Sequence, residues 1–562
     1  MAVKPDTSDK AKQLCSHWQR MQGQRAPWLP QWQEIAELMS PRVAGITVKT
    51  STPSTSKESM LFDTTAGDAL QTMAGGLMSW TMPGSEPWFA FDPPGPLKRV
   101  DRVKAWAQEC SEAMRYLLAN SAFYTESHED MLNHCSFGTS CLYFSIEDGR
   151  LRFEALNTGS YCIEENRFGE IDTLYREFEY DCEQARDEFG EENLSPKMIE
   201  CLKDEQKKKS RFKFLHAVYP RPDSERPDGV GRLAPHGKAY ASCYVELGEK
   251  HLVKESGFDY FPFSAGRYLK WAALEGKVAY GYGPGFAALP DTRQANFMQM
   301  MMDCMAEKIV RPPMIADSAM EGDIILSAGG ITYVEGTLGQ DRWPKPIEMA
   351  GASSYNVGQE RVKMRQDSIR AKFHAQLFDM FANLEGVRTA TEIRERAAEK
   401  IDAITPAFSR LANEKHTPML KALFSICMEA GMLPLPPPEA IQQVSQFVGV
   451  VPTPDIQFSS RLALAIKSLR SLNSQRFLQE IMPIAAIRPE VLAPIDWVAL
   501  SRGLARDSGM PVEFIKDEDQ VQAELAAQAK AQQAQQQMAM AEQGAKAAGH
   551  LGGIPGIKEA IQ

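Results

Sequence analysis

The 562-residue sequence has no apolar run that approaches the roughly 20 residues of a membrane-spanning helix. Its first residues, Met1 to Asp6, also lack the apolar core of a secretory signal. The chain is therefore predicted to be made in the cytoplasm and to stay soluble, without a membrane partner.

Closely spaced cysteines are missing too. The ten cysteines are scattered, and none forms the C-x-x-C pair typical of zinc and redox motifs. The candidate metal ligands are His128, His134, Cys135 and Cys141. Two histidines six residues apart, however, lie far apart in angle on a helix. We expect structural residues, reduced and mostly buried thiols, and no metal or other cofactor.

Enzyme motifs are absent as well. The sequence contains neither the G-x-x-x-x-G-K-[ST] phosphate loop nor the G-x-S-x-G nucleophile turn, and no catalytic set emerges from residue spacing. We predict that the chain is not an enzyme. One alternative stays open: a cytosolic enzyme with an unrecognised site in the β-rich region 136–271, around His216, Tyr219, His236 and Asp259.

There is no excess of basic residues. The net charge is −11, so the chain is not a basic coat held on nucleic acid by phosphate neutralisation.

Two long helical stretches are present. The first is predicted to run from Pro290, a good first-turn residue, to Lys308. Its middle is apolar nearly all round, which is typical of a helix buried by its own chain or by other subunits. Its methionines are predicted to pack in a core or between subunits; they are Met298, Met301, Met302 and Met305.

The second stretch runs from about Val357 to Met380 and has two faces. Apolar residues recur at helical spacing on one face, and Arg361, Arg365 and Lys372 lie on the other. A break is predicted at Asn383–Gly386.

Another helix is predicted to start at Thr389, whose side chain can cap free N–H groups, and to continue towards Met428. Pro406 and Pro418 are expected to kink or break it.

The remaining chain alternates between helical and β-rich regions. Helices are predicted over residues 8–40, 61–80 and 98–135, and strands within 136–271, where the turn at 147–150 indicates a hairpin. A strand at 456–464 is expected to return to the main sheet. Short helices and an Ala/Gln-rich tail follow.

This order of elements resembles the portal, or head-to-tail connector, proteins of short-tailed bacteriophages. Four segments carry the resemblance: Ala69–Met78 leading to Pro87-Trp88-Phe89, Tyr280–Gly285 before a helix, Arg388–Ile393, and the Ala/Gln/Met-rich tail. The match covers roughly residues 10 to 550, and the order of the segments is more specific than any one of them.

The resemblance implies an α+β fold with a wing, a stem of two long helices, a small β-containing clip and a helical crown, assembled as a ring. The implied boundaries are wing 1–285, first stem helix 286–310, clip 311–350, second stem helix 351–380, tunnel loop 381–388, kinked helix and return to the wing 389–464, crown 465–530, and tail or barrel 531–562.

It further implies a dodecameric structural ring at one capsid vertex of the virion, assembled in the host bacterial cytoplasm. Such a ring conducts double-stranded DNA during packaging and ejection. It docks the terminase large subunit, which supplies the motor, and later the tail adaptor, next to capsid proteins. A tail adaptor or scaffold from the same virion is the second alternative.

Candidate DNA-channel residues follow from the resemblance: Asn383, Leu384, Glu385 and Arg388 in the tunnel loop, and Arg361, Arg365 and Lys372 on the stem. For the stem residues we favour a solvated face that pairs with Glu360 and Asp367 or with neighbouring subunits, because a sliding duplex cannot be gripped at many phosphates. Twelve copies at −11 each would carry −132, which repels DNA.

Overall fold

The computed structural model describes residues 7–47, 60–147, 149–222, 237–272, 278–312, 314–315, 345–346, 352–382, 405–445, 448–450 and 452–460, with isolated positions from 477 to 501. The chain forms two compact units, residues 1–462 and 463–562. The first is described below. In the second, the described positions include a helical turn at 480–483.

Five helices form the N-terminal part, and they confirm the three predicted helical regions with breaks inside two of them. They are α1 Thr7–Arg25, α2 Leu29–Met39, α3 Thr65–Thr81, α4 Asp101–Ala119 and α5 Phe123–Phe137. Between α1 and α2, Ala26–Trp28 forms a 3-10 turn with a proline in its first two positions. The chain thus changes helix axis where a proline removes a backbone donor.

The β-rich region holds two antiparallel sheets. The strands of the three-stranded sheet, in the order β3–β2–β9, are β2 Thr139–Glu147, β3 Arg150–Ala155 and β9 Phe263–Arg267. The five-stranded sheet contains β4 Tyr161–Glu165, β5 Ile171–Asp181, β6 Arg211–Pro220, β7 Tyr240–Glu246 and β8 His251–Phe258, in chain order. Glu147 faces Arg150 across the turn, which confirms the predicted hairpin.

Alternation along the strands gives the five-stranded sheet two apolar faces. One face, with Leu215 and Ala217, packs against α1. The other face, with Phe214, packs against two short helices, α6 Cys182–Phe189 and α7 Pro196–Lys203. The chain between β5 and β6 thus forms two short helices that cover this face.

The long helices follow two small strands, β10 Leu269–Lys270 and β11 Gly281–Tyr282. Helix α8 spans Pro284–Val310, so the helix begins at Pro284 and the predicted start at Pro290 is wrong. Pro284 takes the first-turn position, where its missing donor costs nothing, and Pro290 lies inside the helix.

The second long helix is not continuous. Helix α9 spans Ala352–Lys372 and α10 spans Ala375–Ala382. They are separated at His374, whose φ of +52° is a left-handed conformation that a regular helix does not contain.

The predicted interruption at Pro418 is confirmed and takes the form of a π-turn. Residues 405–410 are α-helical, Leu411–His416 form a π-helix, and α11 spans Thr417–Glu429. In an α-helix the Pro418 ring would clash with the carbonyl of Glu414, and the wider π-turn avoids that clash. Pro406 lies in the first described turn of this helix.

The remaining strands form two-stranded pairs. The return strand, β16 Asp455–Phe458, pairs with β1 Phe89–Asp92. The prediction that this strand returns to the main sheet is therefore wrong. The others are β12 Met314–Ile315 with β13 Lys345–Pro346, and β14 Gln442–Ser445 with β15 Val448–Val450. The predicted α+β class is confirmed.

Several predicted segments fall outside the described residues: most of the clip, the tunnel loop with the start of the helix after it, most of the crown, and the C-terminal tail. Among the described helices, none combines the length and the apolarity that a membrane crossing requires.

Candidate functional site

Helices α8 and α9 lie side by side and antiparallel, and we call this pair the stem hairpin. Near its base, the carboxylate of Asp291 accepts three hydrogen bonds from α9: from Arg365 Nη1 at 2.8 Å, Ser368 Oγ at 2.8 Å and Lys372 Nζ at 2.5 Å. Further along, Met302 fills the space beside Gly358, where an added Cβ would lie 2.3 Å from its sulfur. The hairpin therefore has a polar anchor at its base and apolar contacts above it.

The hydrogen bonds of this anchor determine the protonation state of Asp291. Burial acts to raise the pKa of its carboxyl, but the hydrogen bonds from Lys372, Ser368 and Arg365 outweigh burial, so the pKa is lowered. The three donors follow one another at i, i+3 and i+7 and so lie on one helix face. The anchor is thus ionised at neutral pH and charge-assisted.

Both long helices also hold the segment that enters α3. The side-chain oxygen of Asn296 accepts the backbone N–H groups of Phe62 at 2.7 Å and Asp63 at 3.2 Å. From α9, Gln366 donates to the Asp63 carboxylate at 2.7 Å. The stem hairpin and the N-terminal helices are therefore tied by polar contacts at the hairpin base.

Helix α3 approaches α10 closely at Gly76. A Cβ at Gly76 would lie 2.3 Å from the ring of Phe378, whereas one at Gly75 would meet nothing within 4 Å. The absence of a side chain at Gly76 therefore permits the close approach of α3 and α10.

The glycines before α8 serve a backbone crossing. A Cβ at Gly281 would lie 2.3 Å from the Gly138 carbonyl, one at Gly283 would lie 2.7 Å from the Gly138 Cα, and one at Gly285 would lie 2.1 Å from the Ser136 carbonyl. Gly138 itself ends α5 in a left-handed conformation, with φ of +67°. The glycines of this segment therefore allow the start of α8 to pack directly against the end of α5.

One side of the stem hairpin is apolar and exposed. On α8, Phe297 is 57% exposed, Met301 is 45% exposed, and exposed Cys304 follows at i+7. On α9, Val357 is 57% and Met364 67% exposed.

The exposed apolar residues of each helix form a stripe along it. Each stripe lies roughly a third of a turn from the line of contact between the helices, and the rotational sense is the same on both helices. In an antiparallel pair, the same rotational sense places both stripes on one side. We call the five residues the apolar stem face.

The predicted packing methionines divide between three environments. Met302 is buried against α9, Met298 and Met305 are half-buried, and Met301 belongs to the apolar stem face. The helix is thus not buried all round by its own chain.

The candidate DNA-channel residues of the stem also divide. Arg365 and Lys372 are bound to Asp291, a partner that the sequence reading missed, while Arg361 is exposed. The available signal was that Asp291 is the first charged residue of α8, after an apolar N-terminal segment. Asn383, Leu384, Glu385 and Arg388 lie outside the described residues.

A buried charge cluster joins the π-turn to the wing. Lys415 forms an ion pair with Asp130 and a hydrogen bond with Ser140, and the Lys415 and Asp130 side chains are each 2% exposed. The neighbouring Glu414 accepts from Arg267 Nε at 3.1 Å. Sequence spacing gave no sign of these contacts, since the partners are more than 140 residues apart.

Of the residues considered as metal ligands, His134, Cys135 and Cys141 are buried and His128 is half-buried. His134 is buried and lies 3.3 Å from the Ser140 hydroxyl, and burial raises the pKa values of the Cys135 and Cys141 thiols. Among the described residues, no group of three or more His, Cys, Asp and Glu side chains is placed to hold a metal ion.

The candidates for an enzyme site do not converge. Buried His216 and half-buried Tyr219 are three residues apart on β6 and so point to opposite faces of the sheet. The Arg176 Nε–H donates to His216 Nδ1 at 3.3 Å, and Asp259 pairs with Lys238 at 3.1 Å. His236 lies outside the described residues.

Comparisons with known proteins agree with this architecture. The sequence model of the family described as "Bacteriophage head to tail connecting protein" matches residues 11–515. The chain is 30% identical over 557 residues to a probable portal protein of Bordetella phage BPP-1, covering 98% of this chain and 96% of that one. It is 25% identical over 545 residues to a portal protein of Salmonella phage epsilon15, covering 95% and 94%. The chain therefore belongs to the family of bacteriophage head-to-tail connecting proteins.

Proposed function

We propose that this chain is a structural portal subunit that assembles into a ring of about twelve copies at one vertex of a phage capsid. The ring would be the conduit for double-stranded DNA during packaging and ejection. It would dock the terminase large subunit during filling and the tail adaptor afterwards, in contact with capsid proteins. Assembly would take place in the host bacterial cytoplasm.

The apolar stem face is the observation that carries this proposal. Five exposed apolar residues on one side of a two-helix hairpin leave apolar area in water in a single copy, at a cost of about 25 cal/mol per Å². The opposite side of α9 bears exposed polar residues, among them Gln359 and Lys363. A neighbouring copy that covers the apolar side would place the hairpins side by side around an axis.

The stem basic residues have different roles in this proposal. Arg365 and Lys372 stabilise the hairpin through Asp291, which agrees with the expectation that most stem cations are not used to grip DNA. Exposed Arg361 remains a candidate for transient phosphate contact. The tunnel-loop candidates Asn383, Leu384, Glu385 and Arg388 remain proposed DNA contacts.

The decisive experiment compares three purified full-length proteins by negative-stain microscopy and solution mass. The wild type is expected to form rings with a central hole and a mass near twelve times 62.6 kDa. The double variant Met301→Glu/Met364→Glu is expected to lose the rings, because burying two carboxylates at a subunit contact is unfavourable.

The matched control is Gln359→Glu, which adds a carboxylate on the polar side of the same hairpin and is expected to keep the rings. A wild-type protein that stays monomeric at high concentration in varied salt would overturn the ring. If the double variant still forms rings, the apolar stem face is not part of the subunit contact.

A further inference from the structure

The π-turn Leu411–His416 presents two consecutive charged residues to different parts of the wing. Lys415 reaches Asp130 on α5 and Ser140 on β2, and Glu414 reaches Arg267 on β9. The turn lies between the helical segment 405–410 and α11. These polar contacts, together with buried apolar side chains such as Phe408 and Leu411, position the segment before the turn on the wing.

The position of Lys415 is fixed by buried contacts. Its ammonium and the Asp130 carboxylate are both almost fully buried, and the Ser264 hydroxyl donates to the Lys415 backbone carbonyl at 3.1 Å. The side chain also packs on Gly266, where a Cβ would lie 3.1 Å from the Lys415 Cβ. Separating this pair would leave buried charges uncompensated, so this contact is a fixed point.

Glu414, in contrast, is shared between two cations. It accepts from Arg267 on the wing at 3.1 and 3.3 Å and from Arg410, one turn earlier on its own helix, at 2.9 Å. Arg267 has other partners, Glu165 at 2.6 Å and the Gly169 carbonyl at 2.8 Å. If Glu414 moved away, neither it nor Arg267 would be left without a charged or polar partner.

The geometry of Arg410 favours such an exchange. Its Nε–H is buried and has no hydrogen-bond partner. A buried donor without a partner is unfavourable, and a carboxylate that turned fully towards Arg410 would satisfy it. Turning the Glu414 carboxylate fully towards Arg410 would therefore exchange its contacts with Arg267 for a partner to this buried donor.

We propose that Glu414 is a latch and Lys415 a pivot. With Glu414 on Arg267, the helical segment 405–413 is held against the wing; with Glu414 on Arg410, that segment is released and moves about the Lys415–Asp130 pair. The latch is a property of the single chain. Any effect of this motion on DNA rests on the proposed function.

Hydrogen exchange followed by mass spectrometry on the full-length protein tests the latch. In Glu414→Gln the amides of 405–413 are expected to exchange about fivefold faster, because the wing contact is weakened, while those of 419–429 are unchanged. In Lys415→Met, faster exchange is expected also in peptides containing Asp130 and Ser140. Glu429→Gln, which weakens a 3.7 Å contact to Lys238 at the far end of α11, is the matched control.

Unchanged exchange over 405–413 in Glu414→Gln would overturn the latch. So would faster exchange that spreads equally over α11 and the wing strands, since that pattern reports general destabilisation. The mass of each sample is measured in parallel. Absence of rings would contradict the proposed function without affecting the result for the latch.

Discussion

The carboxylate of Asp291 on α8 lies 2.5 Å from the ammonium of Lys372 on α9, at the end of the stem hairpin nearest the wing. This contact, together with those from Arg365 and Ser368, joins the two longest helices of the described residues at the buried Asp291 carboxylate. Because the partners are far apart in sequence, the anchor sets the register between the helices.

Replacing Asp291 with alanine is predicted to destabilise the protein. The change removes three hydrogen bonds and leaves two partly exposed cations that water can solvate again, so we expect a loss of about 2 kcal/mol in the free energy of unfolding, measured by urea denaturation. Asp367→Ala is the control, since Asp367 and Arg370 form an exposed pair at 3.4 Å that contributes less than about 0.5 kcal/mol. Equal effects of the two changes would contradict the anchor.

Neighbouring glycines of α3 are predicted to respond in opposite directions. Gly76→Ala places a methyl group inside the Phe378 ring, and we expect a cost of about 1–3 kcal/mol. Gly75→Ala meets open space in the middle of a helix and should stabilise by about 0.5–1 kcal/mol. Thermal denaturation distinguishes the two, and adding Phe378→Leu to Gly76→Ala should recover part of the loss.

Gly285→Ala is predicted to be more severe than Gly76→Ala. The atom in the way is the Ser136 backbone carbonyl, which cannot rotate aside as a ring can. We expect loss of most soluble folded protein, measured as yield and as the near-ultraviolet circular dichroism of what remains. A fully folded Gly285→Ala variant would mean that α5 and α8 can separate at this crossing.

Stability is predicted to fall as the pH drops from about 6.5 to 5. Burial lowers the pKa of His416 to about 3, aided by Lys415, and lowers those of His134 and His216 well below the usual range. In this pH window the unfolded chain binds protons that the folded chain does not, so each histidine costs about 1.4 kcal/mol per pH unit. Urea midpoints across this window measure the slope.

Replacing His216 with glutamine should reduce that slope, because it removes one of the histidines, His374 among them, whose pKa burial lowers in the folded chain. The same slope in wild type and variant would show that His216 takes up no proton on unfolding.

Local pattern was sufficient for much of the fold. The helices around Met73 and Trp106 and the hairpin at Gly149 were predictable because helical spacing, strand alternation and turn residues act over a few positions. The start of α8 was misplaced because two prolines, Pro284 and Pro290, both suit a first turn and only tertiary contacts decide between them.

The site was less predictable. The basic stripe with Arg365 and Lys372 was visible, but its partner Asp291 was not, since helical phase does not say which residue faces which across a helix pair. The Lys415–Asp130 pair joins residues 285 positions apart, so no local signal could indicate it.

The outer part of the stem hairpin is poorly packed within a single copy. From Asp303 to Val310 no side chain of α8 is buried, and the facing stretch of α9 around Val357 is also largely in water. These turns contribute little packing energy within one copy, and isolated helical turns are marginal in water. If copies associate as proposed, the ordering of these turns depends on protein concentration: in a dilute monomer they should fray, and they should become rigid as the ring forms. Folding of the stem tip and formation of the oligomer would then be a single cooperative equilibrium.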